Sequence, residues 1–363
     1  MVIYYILILC WLVMLVFSRE MERRYTNFNS KLFQAISMGI LLFLVMGLKH
    51  PSVGVDTAQY LYRYHYVPYP LDSDIFAYPE WVFYGFSTIL SKIGIGDQGY
   101  LAIYALIISA SFSRFFYKYS TDIFLSFYLH LTIGLFDLSL SGMRQMFAIC
   151  IILLSFDFLM KNKLVPFVIS VIIAYFTHNS AICFLPFYFL KNINIDQKKG
   201  TILLLLTALP LAISFPFESI IKFLAPERFL IKYNVYETLS HQSPINPLLI
   251  VISLAIPAAC ILFWKYNKWS IENAGRIMSI LFIMSLMNAF TNVLSINLNM
   301  VRRLSFYFVP FIMVLIPIII SNLKIRSNKV LAILCCIIFP LYQFIVGNID
   351  GTLSIEDYKF FWQ

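Results

Sequence analysis

The feature that most constrains this chain is a repeating alternation of long apolar runs and short polar breaks. The runs fall at about 2–17, 32–48, 99–117, 122–140, 143–160, 164–177, 179–190, 201–215, 247–264, 273–295, 304–320 and 330–346. A helix needs roughly 20 apolar residues to cross a hydrocarbon core about 30 Å thick. Several runs are shorter than that, and the pair 164–177 and 179–190 is the weakest. Composition decides the solvent: 60% of residues are hydrophobic and 12% charged, against roughly 25% charged in a soluble chain. In hydrocarbon every backbone N–H and C=O must be satisfied within the segment, which favours helices. The expected fold is therefore all-α: a single polytopic membrane domain over 1–363 with about twelve transmembrane helices.

Charge sets the expected orientation. The formal net charge is +9, but the basic residues lie between apolar runs, where orientation and anionic headgroups account for them. Nucleic acid is not an expected partner; membrane lipid is. The first run carries its positive cluster, Arg19, Arg23 and Arg24, after the apolar stretch. A cleavable signal has the reverse order, so this run reads as a retained span with its start outside. If Glu80–Lys92 lies in the interface rather than crossing, one face collects Arg114, Lys118, Lys161, Lys163, Lys191, Lys198, Lys199, Lys265, Lys268, Arg276, Lys324, Arg326 and Lys329 along with that cluster. That is a positive-inside pattern. The reading is then of both termini outside, outer loops at about 49–98 and 216–246, and a short non-crossing helix near 80–92.

Polar residues not needed for orientation gather on the outer face of this topology. The first outer loop carries Asp56, Arg63, His65, Asp72, Asp74 and Glu80, and the later one includes Glu218, Lys222, Glu227, Arg228, Lys232, Glu237 and His241. Between them come Arg144, beside Gly142 at a helix start, and His178 with Asn179, between two short apolar runs. Arg302 and Arg303 lie at the last outer turn, against the charge rule, with Asn297 and Asn299 just before them as paper partners for sugar hydroxyls. An arginine at a bilayer rim is costly unless it snorkels or pairs. The bland alternative for Arg144 is snorkelling to headgroups; the functional one is a guanidinium fork for phosphate, which lysine cannot copy. His178 is either a capping residue or a base for a sugar hydroxyl. Asp56, with Thr57, can cap the helix that holds Tyr60 and Arg63, or serve as a base or orient an arginine. Asp137 and Asp157 fall within spans and must be paired or protonated. Cys10, Cys150, Cys183, Cys260, Cys335 and Cys336 all lie in apolar runs, which offers no disulfide framework. No Walker or Rossmann glycine pattern, no metal-ligand spacing and no internal repeat stands out, so neither a metal nor a cofactor is expected.

Three motifs in order carry a resemblance. Gly54-Val55-Asp56-Thr57 with Tyr60, then Arg144-Gln145 opening a later run, then His178-Asn179-Ser180-Ala181 opening another, resemble the EpsG family of Wzy-type polysaccharide polymerases. The motifs span roughly 40–190, and the spacing of runs extends the likeness over the chain. Lys49 and His50 stand where the family usually carries an arginine. The resemblance implies glycosyl transfer at the outer face of the bacterial inner (cytoplasmic) membrane. Undecaprenyl-diphosphate-linked repeat units would be joined into O-antigen, capsule or exopolysaccharide. Outer arginines would stabilise the diphosphate leaving group, and a carboxylate or histidine would take the acceptor's proton. On this reading the catalytic candidates are Asp56, Arg144, His178, Arg302 and Arg303. The substrate-binding candidates are Lys49, Thr57, Tyr60, Arg63, Gln145, Asn179, Arg228 and His241. A flippase and a chain-length regulator are the protein partners to expect. The competing readings are a flippase or transporter of lipid-linked sugars, and an outer-face glycan ligase or acyltransferase.

Overall fold

The structure, a computed structural model, describes residues 2–66, 80–193, 195–212, 247–267, 271–296, 298, 301–349 and 358–363. The described residues form helices α1 (Val2–Arg24), α2 (Ser30–Gly47), α3 (Thr57–Tyr66), α4 (Trp81–Lys92), α5 (Asp97–Tyr119), α6 (Ile123–Thr132), α7 (Leu135–Ser141), α8 (Met143–Met160) and α9 (Leu164–Thr177). A 3-10 segment, Asn179–Phe184, precedes α10 (Phe187–Leu190), α11 (Gln197–Ala212), α12 (Pro247–Asn267), α13 (Ile271–Leu294), α14 (Arg302–Ser305), α15 (Val309–Ser321) and α16 (Arg326–Ile349). Among the described residues the extended pairing is confined to an antiparallel bridge between Lys49 and Phe360. The all-α expectation holds. By length and composition six helices can cross a membrane: α1, α2, α5, α8, Pro247–Lys265 of α12 and Arg276–Leu294 of α13. The run at 122–140 is two helices, α6 and α7, bent by 62°; Gly134 between them has φ +83°. Counted as one broken span, they bring the number to seven, and Leu164–Thr177, Asn179–Leu190 and Val309–Ser321 are shorter apolar helices. The chain is a multi-pass membrane protein. The twelve residues of α4 rise only about 18 Å, short of a hydrocarbon core.

The contacts divide the chain into two compact units, Met1–Tyr188 with Val330–Gln363, and Phe189–Lys329. In the first, α2 lies closely along α5 because small residues face each other: a Cβ built on Gly47 would sit 3.4 Å from the Cβ of Ala105, and one on Gly39 would strike the Ser113 side chain. Small facing residues let helix backbones approach where lipid supplies no hydrophobic drive. Polar ties hold α1 to α2, with Gln34 donating to Ser18 Oγ at 2.8 Å and Trp11 Nε1 to the Met38 carbonyl at 3.3 Å. Asp157 near the end of α8 finds the partners that an aspartate in an apolar helix requires. It accepts from Arg114, from Lys118 Nζ at 2.6 Å and from the Tyr119 hydroxyl, all on α5. The carboxylate oxygens of Asp137 are buried with no side-chain partner among the described residues.

The second unit packs α11, α12, α13 and α15 around buried Phe282, Met284, Met313 and Val314. Trp264 of α12 meets Phe282 of α13 at 4.8 Å between ring centroids. Asn288 donates to the Ser305 carbonyl at 3.2 Å and ties the short α14 to α13.

Candidate functional site

The site is built on a loop that ends at α3. Lys49 follows α2 and is buried, 3% exposed. Its ammonium donates to the carbonyl of Val53 at 2.9 Å, to Thr57 Oγ1 at 2.7 Å and to the carbonyl of Leu140. Leu140 lies in the last turn of α7, where carbonyls have no intrahelical donor, and a cation suits that helix end. Thr57 Oγ1 also lies 2.7 Å from the Val53 carbonyl and 3.1 Å from that of Leu140, able to give its one proton to either. Gly54 has φ +93°, and a Cβ there would run into the Leu140 carbonyl. Glycine is required on both counts. The loop is thereby locked to the end of α7, two residues before α8 begins. Outside, Phe361 N donates to the Leu48 carbonyl at 2.9 Å and His50 N to the Lys359 carbonyl at 2.8 Å.

Two side chains expected at a substrate are taken up by the loop here. Lys49 and Thr57 face inward and bind each other and backbone, which anchors the loop. Three acceptors were within reach of the ammonium, and burial, which lowers its pKa to about 7, makes using them necessary. Asp56 sits just before α3, yet its carboxylate accepts no helix N–H among the described residues, and Thr57 does not cap either. The carboxylate stands one turn before Tyr60 on the same helix face.

From this anchor α3 runs over α4 and α5 on aromatic contacts. Tyr60, Leu61 and Tyr64 are buried with Phe83, Tyr84, Tyr100, Tyr104 and Met143. Tyr64 stacks on Tyr100 at 4.2 Å and donates to the Ile95 carbonyl at 2.6 Å. The packing aims Tyr60 at Arg144 in the first turn of α8 and Arg63 at Tyr84 of α4. On the opposite side Trp81 meets Phe176 at 5.2 Å, which holds the start of α4 against the end of α9.

The starts of α4 and α8 and the end of α9 so meet at Glu80, with α3 one contact further out. Its Oε2 accepts from Arg144 Nη1, and its Oε1 lies 2.7 Å from His178 Nδ1. Arg144 also donates to the Tyr84 hydroxyl at 3.2 Å and, through Nε, to the Tyr60 hydroxyl at 3.3 Å. Its guanidinium lies 5.8 Å from the Tyr60 ring centre and 5.9 Å from that of Tyr84. Arg63 donates to the same Tyr84 hydroxyl at 2.6 Å. Two guanidinium nitrogens therefore approach within about 6 Å of each other, close enough for strong like-charge repulsion unless anions intervene. Burial pushes the Glu80 carboxyl up, but the His178 hydrogen bond and the Arg144 charge outweigh it and hold it below the ordinary range. An ionised carboxylate only accepts. His178 Nδ1 must then carry a proton, so that in the neutral tautomer this bond selects, Nε2 is the lone-pair acceptor. Neither Nε2 of His178 nor Nη2 of Arg144 has a partner among the described residues. The side chains are 11% exposed for Glu80, 18% for His178 and 32% for Arg144, so the cluster is shielded yet reachable.

The structure thus gathers Arg144, His178, Tyr60 and Arg63, and sets Asp56 one helical turn from Tyr60. Gln145 is buried behind Arg144, and Asn179 follows His178 at the start of the 3-10 segment. Arg302 and Arg303 open α14 in the second unit with exposed side chains. Arg228 and His241 lie outside the described residues, as do Asp72, Asp74, Asn297, Asn299 and the other charged groups of 216–246. Sequence reasoning gave no role to Glu80 or Tyr84, the two groups that join the cluster. Among the described residues no three His, Cys, Asp or Glu side chains are placed to hold a metal ion.

A multi-pass helical protein that holds an arginine-carboxylate-histidine cluster at one helix end is suited to anionic, hydroxyl-bearing ligands. The chain matches the EpsG family over residues 32–360 and belongs to it. That places it with the polysaccharide polymerases, enzymes of the glycosyltransferase kind. No curated protein and no solved structure matches it.

Proposed function

We propose that this protein joins undecaprenyl-diphosphate-linked oligosaccharide repeat units at the outer face of the bacterial cytoplasmic membrane, making O-antigen, capsule or exopolysaccharide. The observation that carries the reading is the convergence of Arg144, Arg63 and His178 on Glu80 and Tyr84. The residues come from motifs far apart in the chain, and their chemistry matches what the transfer needs. The acceptor hydroxyl oxygen attacks the anomeric carbon of the donor glycan. The bond from that carbon to the diphosphate oxygen breaks, and the lipid diphosphate leaves with the electron pair. The acceptor proton passes to His178 Nε2. Negative charge grows on the diphosphate, where Arg144 Nη2 and Arg63 can meet it, and aligned donors at such a place lower the barrier. Arg302 and Arg303 would bind phosphate of a lipid-linked substrate, and Asp56 would orient an arginine or assist the base. A flippase would supply the substrate and a chain-length regulator would act on the product.

Deleting the gene in its host and sizing the glycan tests this. Single repeats on the acceptor support the polymerase. No glycan at all supports the second reading, a flippase for the same lipids, which the bend at Gly134 and the buried Asp137, without a hydrogen-bond partner among the described residues, favour, since transporters place such features at midmembrane sites.

A further inference from the structure

The carboxylate of Glu80 is shared. One oxygen holds Arg144, the expected diphosphate ligand, and the other holds His178, the expected base. These two groups serve different substrates, one the donor and the other the acceptor. We propose that Glu80 is a positioning residue that makes acceptor activation depend on donor binding. The inference rests on the polymerase reading of Arg144.

Glu80 takes the place on the Arg144 fork that an anionic oxygen of a substrate would take. Its charge is then partly neutralised, and its hold on the His178 proton is weakened. A phosphate that takes Arg144 supplies that negative charge itself. The Glu80 carboxylate is left to His178, and an unshared carboxylate beside an imidazole favours the protonated ring. His178 thus becomes a stronger base when a donor is in place, and an acceptor hydroxyl is not activated beforehand. Among the described residues the charged and titratable groups around His178 are few. Glu80 precedes α4, Tyr84 lies on it and Arg144 lies on α8. One contact further out are Tyr60 and Arg63 on α3, with Asp56 before it. Tyr175 lies on α9 itself and Cys183 on the 3-10 segment. No other carboxylate among the described residues contacts the ring.

The test uses the full chain in detergent with ring-labelled histidine, the His178 signal being assigned by its loss in His178→Gln. Inorganic pyrophosphate is the probe, its binding followed by phosphorus NMR. The His178 titration is recorded with and without it. In the unmodified protein pyrophosphate should raise the His178 midpoint by about one pH unit, the low end of what an opposite charge at this range produces. In Glu80→Gln, which keeps the side-chain shape, bound pyrophosphate should leave the midpoint in place. In Arg144→Gln the carboxylate is already released, and pyrophosphate should have no effect. An equal rise in Glu80→Gln would mean that the anion acts on His178 directly and would overturn the inference. So would binding to the unmodified protein without any rise, a result that leaves the phosphate role of Arg144 standing. Failure of pyrophosphate to bind the unmodified protein at all would instead remove the reading on which the inference depends.

Discussion

The docking of the Gly54 loop gives the sharpest quantitative expectation. Replacing Gly54 by alanine has two costs. A non-glycine residue in a left-handed conformation loses roughly 1–2 kcal/mol. The added Cβ would also lie 2.8 Å from the Leu140 carbonyl carbon and 2.9 Å from Thr57 Oγ1, so the loop must lift from α7. Lifting breaks the Lys49 and Thr57 bonds to the Leu140 carbonyl. A buried charged hydrogen bond is worth about 1.5–3 kcal/mol and a neutral one about 0.5–1.5. The total is about 3–6.5 kcal/mol, a large part of the roughly 5–15 kcal/mol that holds a folded domain. Tyr60 and Arg63 ride on the helix that this loop fixes, so the Arg144 cluster should open as well. The assay is the thermal midpoint of the purified protein together with glycan length in cells. Gly94 is the control, because it has φ +82° but open space around it. Gly94→Ala should cost only the backbone part, about 1–2 kcal/mol. If Gly54→Ala were no worse than Gly94→Ala and long glycans persisted, the anchoring argument would fail.

Four further outcomes are expected. At matched protein levels Arg144→Lys should reduce long glycans to single repeats, because losing one transition-state donor costs about a hundred- to a thousandfold in rate and lysine lacks the planar fork; long chains would return Arg144 to a snorkelling role. Glu80 is held below its ordinary value of 4.5, so its contribution to stability is present above that value and lost as pH falls through the depressed one; midpoints recorded from pH 3 to 7 should drop on the acid side, and a similar drop in Glu80→Gln would assign it to other groups. Asp56→Asn should shorten glycans if the carboxylate acts in the chemistry, since no cap is lost with it, and near-normal chains would remove Asp56 from the reaction. In intact cells with native cysteines replaced, a cysteine at Ser52 should react with an impermeant reagent and one at Asn328 should not; the reverse pattern would invert the topology.

What the sequence discloses about this site depends on whether a role is local or relational. An arginine beside a glycine at the edge of an apolar run, or a histidine between two such runs, is expensive wherever the chain goes, so Arg144 and His178 stand out on their own. The break at Gly54 is legible too, but its reason, the Leu140 carbonyl, lies 91 residues from the lysine that shares it. Lys49 is a substrate-binding candidate in the sequence because it stands where the family usually carries an arginine. An ammonium can equally satisfy carbonyls at a helix end, and only the folded chain says which acceptors are in reach. The same holds for 122–140, an even apolar run in sequence that Gly134 divides through its backbone angle. Glu80 was the hardest to see. It shares its loop with Asp72 and Asp74, and nothing local sets it apart. Its role comes from Trp81 packing on Phe176 and from the first turn of α8 arriving beside it. Asp157 follows the same rule, with partners on α5 some forty residues before it. In an apolar chain a lone cation advertises itself by the cost of its burial, while the group that offsets that cost can come from any helix end the fold brings near. The counter-charges are therefore where structure adds most to sequence, and in this protein the added counter-charge, Glu80, is the group that the fold sets between Arg144 and His178.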